Sequence, residues 1–378
     1  MLLSWFRLTL PIAAIFAFRM LGLFMLIPVF SIYGQQLQYA SPILIGVALG
    51  AYGFSQGIMQ MPFGILSDHF GRKKLLFIGL LIFALGSLLG SFTHSIYGII
   101  TARIIQGCGA IGSVLIALLA DLVEDNNRSK AMAIIGMSIG ISFALAMILS
   151  PIMAQHYGLS SIFQLTTIMA LAGILIVNFF IPKVTAEKKP QSFAIKHLQE
   201  SFYPRDLKQC HIGIFGQHFI LTSSFFAIPL ILKTINAPLT KFYLTLMLVA
   251  FIIMLPTIAI CEKSNNRVPL FKFSIVAVII GQLLLLLVPH EIKFTWISLL
   301  VYFGAFNILE ALFPSMIAKA ANPALKGTAT GIYSTMQFIG IFFGGICSGY
   351  CYQYLGINGI FAINALLSVS YFIYINRG

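Results

Sequence analysis

The segment Lys183–Lys208, KVTAEKKPQSFAIKHLQESFYPRDLK, is the longest polar stretch in an otherwise almost continuously apolar chain, and six of its residues are Lys or Arg. On its N-terminal side, apolar runs predict helices over about 8–32, 42–66, 74–92, 96–120, 130–155 and 161–182. On its C-terminal side they predict helices over about 211–232, 242–261, 271–289, 294–318, 327–350 and 357–375. Six runs on each side of one basic linker predict two related bundles: an N-terminal six-helix bundle over 1–182, a cytoplasmic linker over 183–209 and a C-terminal six-helix bundle over 210–378. Within the linker, Ser192–Phe202 has the pattern of an amphipathic helix lying on a surface. Weak internal similarity agrees. KAMAIIGMS from Lys130 aligns with KGTATGIYS from Lys326, and Asp68–Lys73 aligns with Glu262–Arg267 in the corresponding loop.

Composition carries the same message. The 378 residues are 59% hydrophobic and only 9% charged, with mean hydropathy +0.96. A water-facing surface calls for about 25% charged residues, so a soluble enzyme, a disordered chain and a disulfide scaffold are all excluded. Twelve spans of ~20–25 residues take up roughly 240–300 residues, which leaves short loops and one linker. The first run has Arg7 ahead of it but carries Arg19 in its middle, is long and is followed by eleven more, so it reads as a retained span rather than a signal peptide. The five cysteines form no CxxC pair and accompany no His cluster; they read as small packing residues, with Cys347 and Cys351 on one helix face and no metal site implied.

The positive charges set an orientation. With the N-terminus inside, 18 of the 23 Lys and Arg residues fall on the inner side, three (Lys233, Lys241 and Lys293) on the outer side, and two (Arg19 and Arg103) within spans. This asymmetry places both termini in the cytoplasm. The net charge of +13 is then an orientation signal and a contact for anionic membrane lipid, not a nucleic-acid footprint.

The loop between the second and third spans reads GILSDHFGRKK, Gly64–Lys74. Gly64 would permit close helix approach, and Gly71 a tight turn. Asp68 supplies a negative charge for a helix N-terminus or a basic partner; Arg72, Lys73 and Lys74 would anchor the loop at the inner face. This loop resembles the signature of the major facilitator superfamily, G-x-L-S/A-D-R/K-x-G-R/K-K/R, departing from it only at His69. ARIIQGCGA from Ala102 is similar to the fourth-span R-x-x-Q-G motif of that superfamily. GMSIGISFALAMILSPIMA from Gly136 is similar to its fifth-span antiporter motif, with Ser150-Pro151 in place of Gly-Pro. More narrowly, FRMLGLFMLIP from Phe18, NILEALFPS from Asn307 and GIYSTMQFIG from Gly331 resemble the YajR-type efflux transporters of the twelve-span drug:proton antiporter branch. That type carries a small soluble C-terminal domain. The sequence here stops at Gly378, just after its last span, so the resemblance is to a YajR-like chain without that domain.

The resemblance implies an all-α membrane protein: twelve transmembrane helices in two pseudo-symmetric six-helix bundles around a central cavity lined by the first, fourth, seventh and tenth spans. It also implies a conformational latch made of Gly64, Asp68, Gly71, Arg72 and Asp121. Asp68 would face the N-terminal end of the eleventh span near Gly327, and Arg72 would pair with Asp121.

Of the ten acidic residues, Glu310 is the one inside a predicted span. An ionised carboxylate there costs a few kcal/mol unless paired or wetted, so it reads as a proton-coupling group or as one half of a structural pair. At ~1.5 Å per residue, His218, Glu310 and Arg19 lie roughly 12, 13 and 16 Å from the inner ends of their spans. His218 is placed to share a proton with Glu310 or simply to be hydrogen-bonded. Arg19 is placed to bias Glu310, to bind an anion, or to make a structural pair. Arg103, with Gln106 one turn on, matches the family's fourth-span arginine tied to proton transfer. Gln106 and Asn307 are candidate cavity residues. Gln56 and Gln60 share a face of the second span, where polar side chains often join helices. Glycines 340, 344, 345 and 349 give small-xxx-small spacing for close packing.

The reading is a proton-coupled secondary transporter of the bacterial inner membrane, working by rocker-switch alternating access as a monomer and exporting small amphipathic or drug-like molecules. It would need no cofactor beyond the proton-motive force. No nucleotide-binding loop occurs, and nothing suggests an enzyme. Metabolite uptake or facilitation on the same fold, and a non-transporting sensor or scaffold, are the alternatives.

Overall fold

The computed structural model describes residues 4–182, 195–264, 268–322 and 325–377. Of these, ten helices are long and apolar enough to cross a membrane. One of the ten, Lys326–Asn376, is two helices joined through a kink at Gly356, and a shorter apolar helix over Leu239–Met254 adds another. The protein is an all-helical membrane protein with the twelve-span architecture expected; among the described residues there is one isolated β-bridge, Gln38 with Ser95. Contacts divide the chain into Met1–Phe193 and Ala194–Gly378.

In the N-terminal unit the first helix, α1 (Ser4–Phe24), ends earlier than the apolar run. Met25–Val29 forms tight turns leading to α2 (Phe30–Tyr33). Pro28 explains the stop, because it has no amide proton and disfavours helical backbone in the residue before it. α3 (Pro42–Phe70) starts at a Ser41 cap, whose hydroxyl accepts from Leu44 N at 3.3 Å. α4 (Arg72–Phe92) follows directly. The fourth span is broken into α5 (Ile96–Cys108) and α6 (Gly112–Leu122) by the glycine-containing segment 109–111. α7 (Asp125–Tyr157) and α8 (Leu159–Phe180) complete the unit.

The C-terminal unit contains α9 (Ile195–Phe202), α10 (Arg205–Thr234), α11 (Leu239–Ser264), α12 (Val268–Leu287), α13 (Ile292–Ala320) and α14 (Lys326–Asn376). Of the amphipathic helix expected over 192–202, residues 192–194 lie outside the described residues, as does the rest of the linker from 183. α9 is tied to α10: His211 Nε2 lies 3.1 Å from the Ser201 carbonyl, and its ring stacks on Phe202.

Helix pairing repeats between the two units. α1 packs on α7, α3 on α5 and α4 on α8; correspondingly α10 packs on α14, α11 on α13 and α12 on α14. These are the same first–fifth, second–fourth and third–sixth pairings in each half, which is the pseudo-symmetry expected of related bundles. Polar contacts pin the pairs. Ser142 Oγ donates to the Ala17 carbonyl at 3.1 Å, joining α7 to α1. In the other unit Gly340 and Gly344 lie against the backbone of Phe215 and Phe219. Here the small-residue spacing serves close approach of α14 to α10, as anticipated. Farther along, Asn364 on the second arm of α14 accepts from Ser223 at 2.6 Å and donates to Gln282 at 3.0 Å and to Ser224 at 3.2 Å.

Candidate transport and coupling site

The Gly64–Lys74 turn holds a compact ion-pair cluster. Gly71 has φ +91°, a conformation that favours glycine, and this lets α3 hand directly to α4. Arg72 is 8% exposed. Its guanidinium lies 2.5 Å from Asp68 on the preceding turn and donates through Nε to Asp121 at 3.1 Å; it also reaches the Ser67 hydroxyl. Arg72 and Asp121, far apart in sequence, are thus brought together.

One expectation for this loop needs correction. A Cβ at Gly64 would meet the Ser113 hydroxyl at 3.5 Å, an ordinary van der Waals contact, so close helix approach does not require glycine there. Arg72 is buried among acidic partners and Lys73 donates to the carbonyls of Asn178 and Ile181 at 2.9 and 2.8 Å. Lys73 therefore caps the C-terminus of α8, where carbonyls are otherwise unsatisfied, and ties the loop to that helix.

In the middle of the N-terminal unit Arg19 and Arg103 are each 1% exposed. Arg19 donates from Nη2 to the Tyr52 hydroxyl at 2.9 Å and to Gln56 Oε1. Gln56 in turn donates to Gln60 at 2.6 Å. The Arg103 guanidinium sits 4.8 Å from the centre of the Tyr52 ring, within cation–π range. It donates to Gln106 at 3.1 Å, and Gln106 donates to Ser87 at 2.8 Å. Tyr52 joins the two arginines and was not singled out from the sequence. The legible signal was the spacing Tyr52–Gln56–Gln60, one polar residue per helical turn on one face of α3.

In the C-terminal unit Glu310 accepts from Gln217 Nε2 at 2.9 Å, and Gln217 also reaches the Phe306 carbonyl at 3.2 Å. His218 Nε2 lies 3.9 Å from Glu310 but 2.7 Å from Gln337 Nε2. His218 is thus paired with Gln337 and lies beyond hydrogen-bond distance of Glu310, whose hydrogen-bonded partner is Gln217. Asn307 is buried one turn earlier, and its side-chain amide nitrogen has no partner among the described residues. Gln217 and Gln337 escaped the sequence reading, which picked out amides only beside a charged residue or in a same-face pair; Gln217 adjoins His218, and that adjacency was the available signal. The Glu310 side chain itself remains 38% exposed. The described residues contain no group of His, Cys, Asp and Glu that could hold a metal ion.

A helical membrane protein with repeated six-helix units, buried charges in mid-span and a Gly–Asp–Gly–Arg turn fits a membrane transporter, and the chain belongs to the major facilitator superfamily. The family description "Major Facilitator Superfamily" matches residues 210–376, and "Sugar (and other) transporter" matches residues 23–112. The chain is 38% identical over 371 residues to the inner membrane transport protein YajR of Escherichia coli (strain K12), covering 96% of this chain and 81% of that one. It is 27% identical over 347 residues to Multidrug resistance protein 2 of Bacillus subtilis (strain 168), covering 87% and 84%. The solved D-xylose-proton symporter superposes with TM-score 0.81 at 16% identity over 99% of this chain and 98% of that chain, a likeness of fold.

Proposed function

We propose that this protein is a proton-coupled exporter of small amphipathic molecules in the bacterial inner membrane, with both termini in the cytoplasm. The observation that carries the coupling is Glu310, a carboxylate within a span, held by Gln217 and still partly accessible. Such a group is expensive to keep ionised in a bilayer and suits reversible protonation. One relative named as an inner membrane transport protein supports the membrane, and one named as a multidrug resistance protein supports export.

In this reading Asp68, Arg72 and Asp121 bias one conformation of the cycle. A few kcal/mol suffices to reset a two-state population. The transmembrane potential supplies about 2.3 kcal/mol per charge per 100 mV, besides any pH gradient. The test is proton flux in proteoliposomes under an imposed pH gradient, with lipophilic organic ions added in turn. Substrate-triggered proton movement opposite to the substrate is expected. Movement of substrate and proton in the same direction would replace export with uptake, and substrate movement without protons would make the protein a facilitator.

A further inference from the structure

We infer that Arg19, Tyr52 and Arg103 form a binding site for the anionic head of an organic anion, so that the molecules carried are amphipathic anions; this rests on the transporter reading above. Two guanidiniums, each 1% exposed, converge on one tyrosine. Their described partners are neutral: the Tyr52 hydroxyl and ring, Gln56 and Gln106. Three buried donors, Arg19 Nε, Arg19 Nη1 and Arg103 Nε, have no hydrogen-bond partner among the described residues. A buried charge left without a counter-charge is costly to keep.

The described acidic residues of the N-terminal unit offer no compensation. Asp68, Asp121, Glu124 and Asp125 all lie at helix ends. Asp121 is 18 residues along from Arg103, roughly 27 Å of helix rise at 1.5 Å per residue. Neither arginine makes an ion pair within this unit among its described residues. Arginine offers planar forks of N–H donors that match a carboxylate or sulfonate. The free donors on two different helices, α1 and α5, are therefore the complement of an oxyanion. Gln56 and Gln60 orient Arg19, and Gln106, held by Ser87, orients Arg103.

The surroundings argue for an organic ion. Ile15, Phe16 and Leu23 on α1 and Ala48 and Leu49 on α3 make the neighbouring turns apolar, so once the helices part around a ligand an apolar body meets apolar side chains behind the charged head. Burial of the site in this state is compatible with ligand entry, because alternating access exposes and occludes the same site in turn.

The test is equilibrium binding to the full-length protein in detergent, read as the unfolding midpoint against concentration of benzoate, benzenesulfonate, benzamide and benzylammonium at constant ionic strength. The expected result is a saturable upward shift with benzoate and benzenesulfonate, and none with the neutral or cationic analogues. Arg19→Gln and Arg103→Gln should each weaken benzoate binding at least tenfold. Arg103→Lys, which keeps the charge, should lose less than Arg103→Gln and guards against a misfolded variant. Absence of a saturable shift with either anion, an equal shift with benzamide, or undiminished affinity in both Gln variants would overturn the site. No pH gradient is present, so the outcome is separate from whether Glu310 couples protons.

Discussion

Replacing Asp121 by Asn removes one negative charge from the Arg72 cluster while keeping the shape and an oxygen acceptor. Asp121 and Arg72 side chains are 12% and 9% exposed, whereas Asp68 is 44% exposed. Two unit charges 4 Å apart interact by about 4 kcal/mol at an effective dielectric of 20. Asp68 still neutralises Arg72 after the substitution, so about half of that, roughly 2 kcal/mol, is the expected loss. Asp68→Asn removes a charge that water already screens, and its cost to stability should stay below about 1 kcal/mol. For a folding unit of this size each kcal/mol moves the midpoint by about 2–4 °C. Asp121→Asn should therefore lower it by roughly 4–8 °C in detergent, and Asp68→Asn by clearly less. The assay is thermal unfolding of the two purified variants beside wild type, followed by transport in proteoliposomes. In transport the order should reverse: Asp68→Asn, nearly wild type in stability, should slow cycling with substrate binding retained. Equal destabilisation by both variants, or a fully stable Asp121→Asn, would refute the separation of a fold-holding pair from a latch charge.

Two further substitutions probe the C-terminal unit. Gly344→Ala places a methyl group against the Phe219 backbone and should cost about 1–3 kcal/mol by overpacking, seen as a lower midpoint; an unchanged midpoint would show that α14 and α10 give way easily. Asn364→Leu leaves Ser223, Ser224 and Gln282 short of their shared partner and should cost about 2–4 kcal/mol, read by the same melt, whereas Asn364→Asp should recover part of it through its remaining acceptor.

The helical class and the division into halves were legible because apolar runs of span length and a single basic linker are carried by composition, which tertiary detail cannot hide. Helix ends were less legible. Pro28 stops α1 at Phe24 and the 109–111 segment breaks the fourth span, yet a hydropathy run passes straight through both. At the site, charged residues announced themselves: Arg19, Arg103 and Glu310 stand out in apolar surroundings. Of their neutral partners, Gln56 and Gln106 were marked as polar residues inside spans, but Tyr52 and Gln217 were not. Tyr52 bridges the arginines through its hydroxyl and its ring, and Gln217 rather than His218 donates to Glu310. Both contacts depend on where neighbouring helices face each other, which a one-dimensional period does not specify. Arg72 shows the opposite case, since its pairing with Asp121, expected from the family resemblance of the loop, is the contact found.

The coupling account turns on one carboxylate, and accumulation of substrate driven by an imposed pH gradient, compared between wild type and Glu310→Gln in matched proteoliposomes, tests it most directly. Exchange of substrate across the same vesicles without a gradient reports whether the variant is folded and able to cycle. The account predicts that Glu310→Gln keeps exchange but loses gradient-driven accumulation. Undiminished proton-driven accumulation in that variant would contradict it and move the proton to another group.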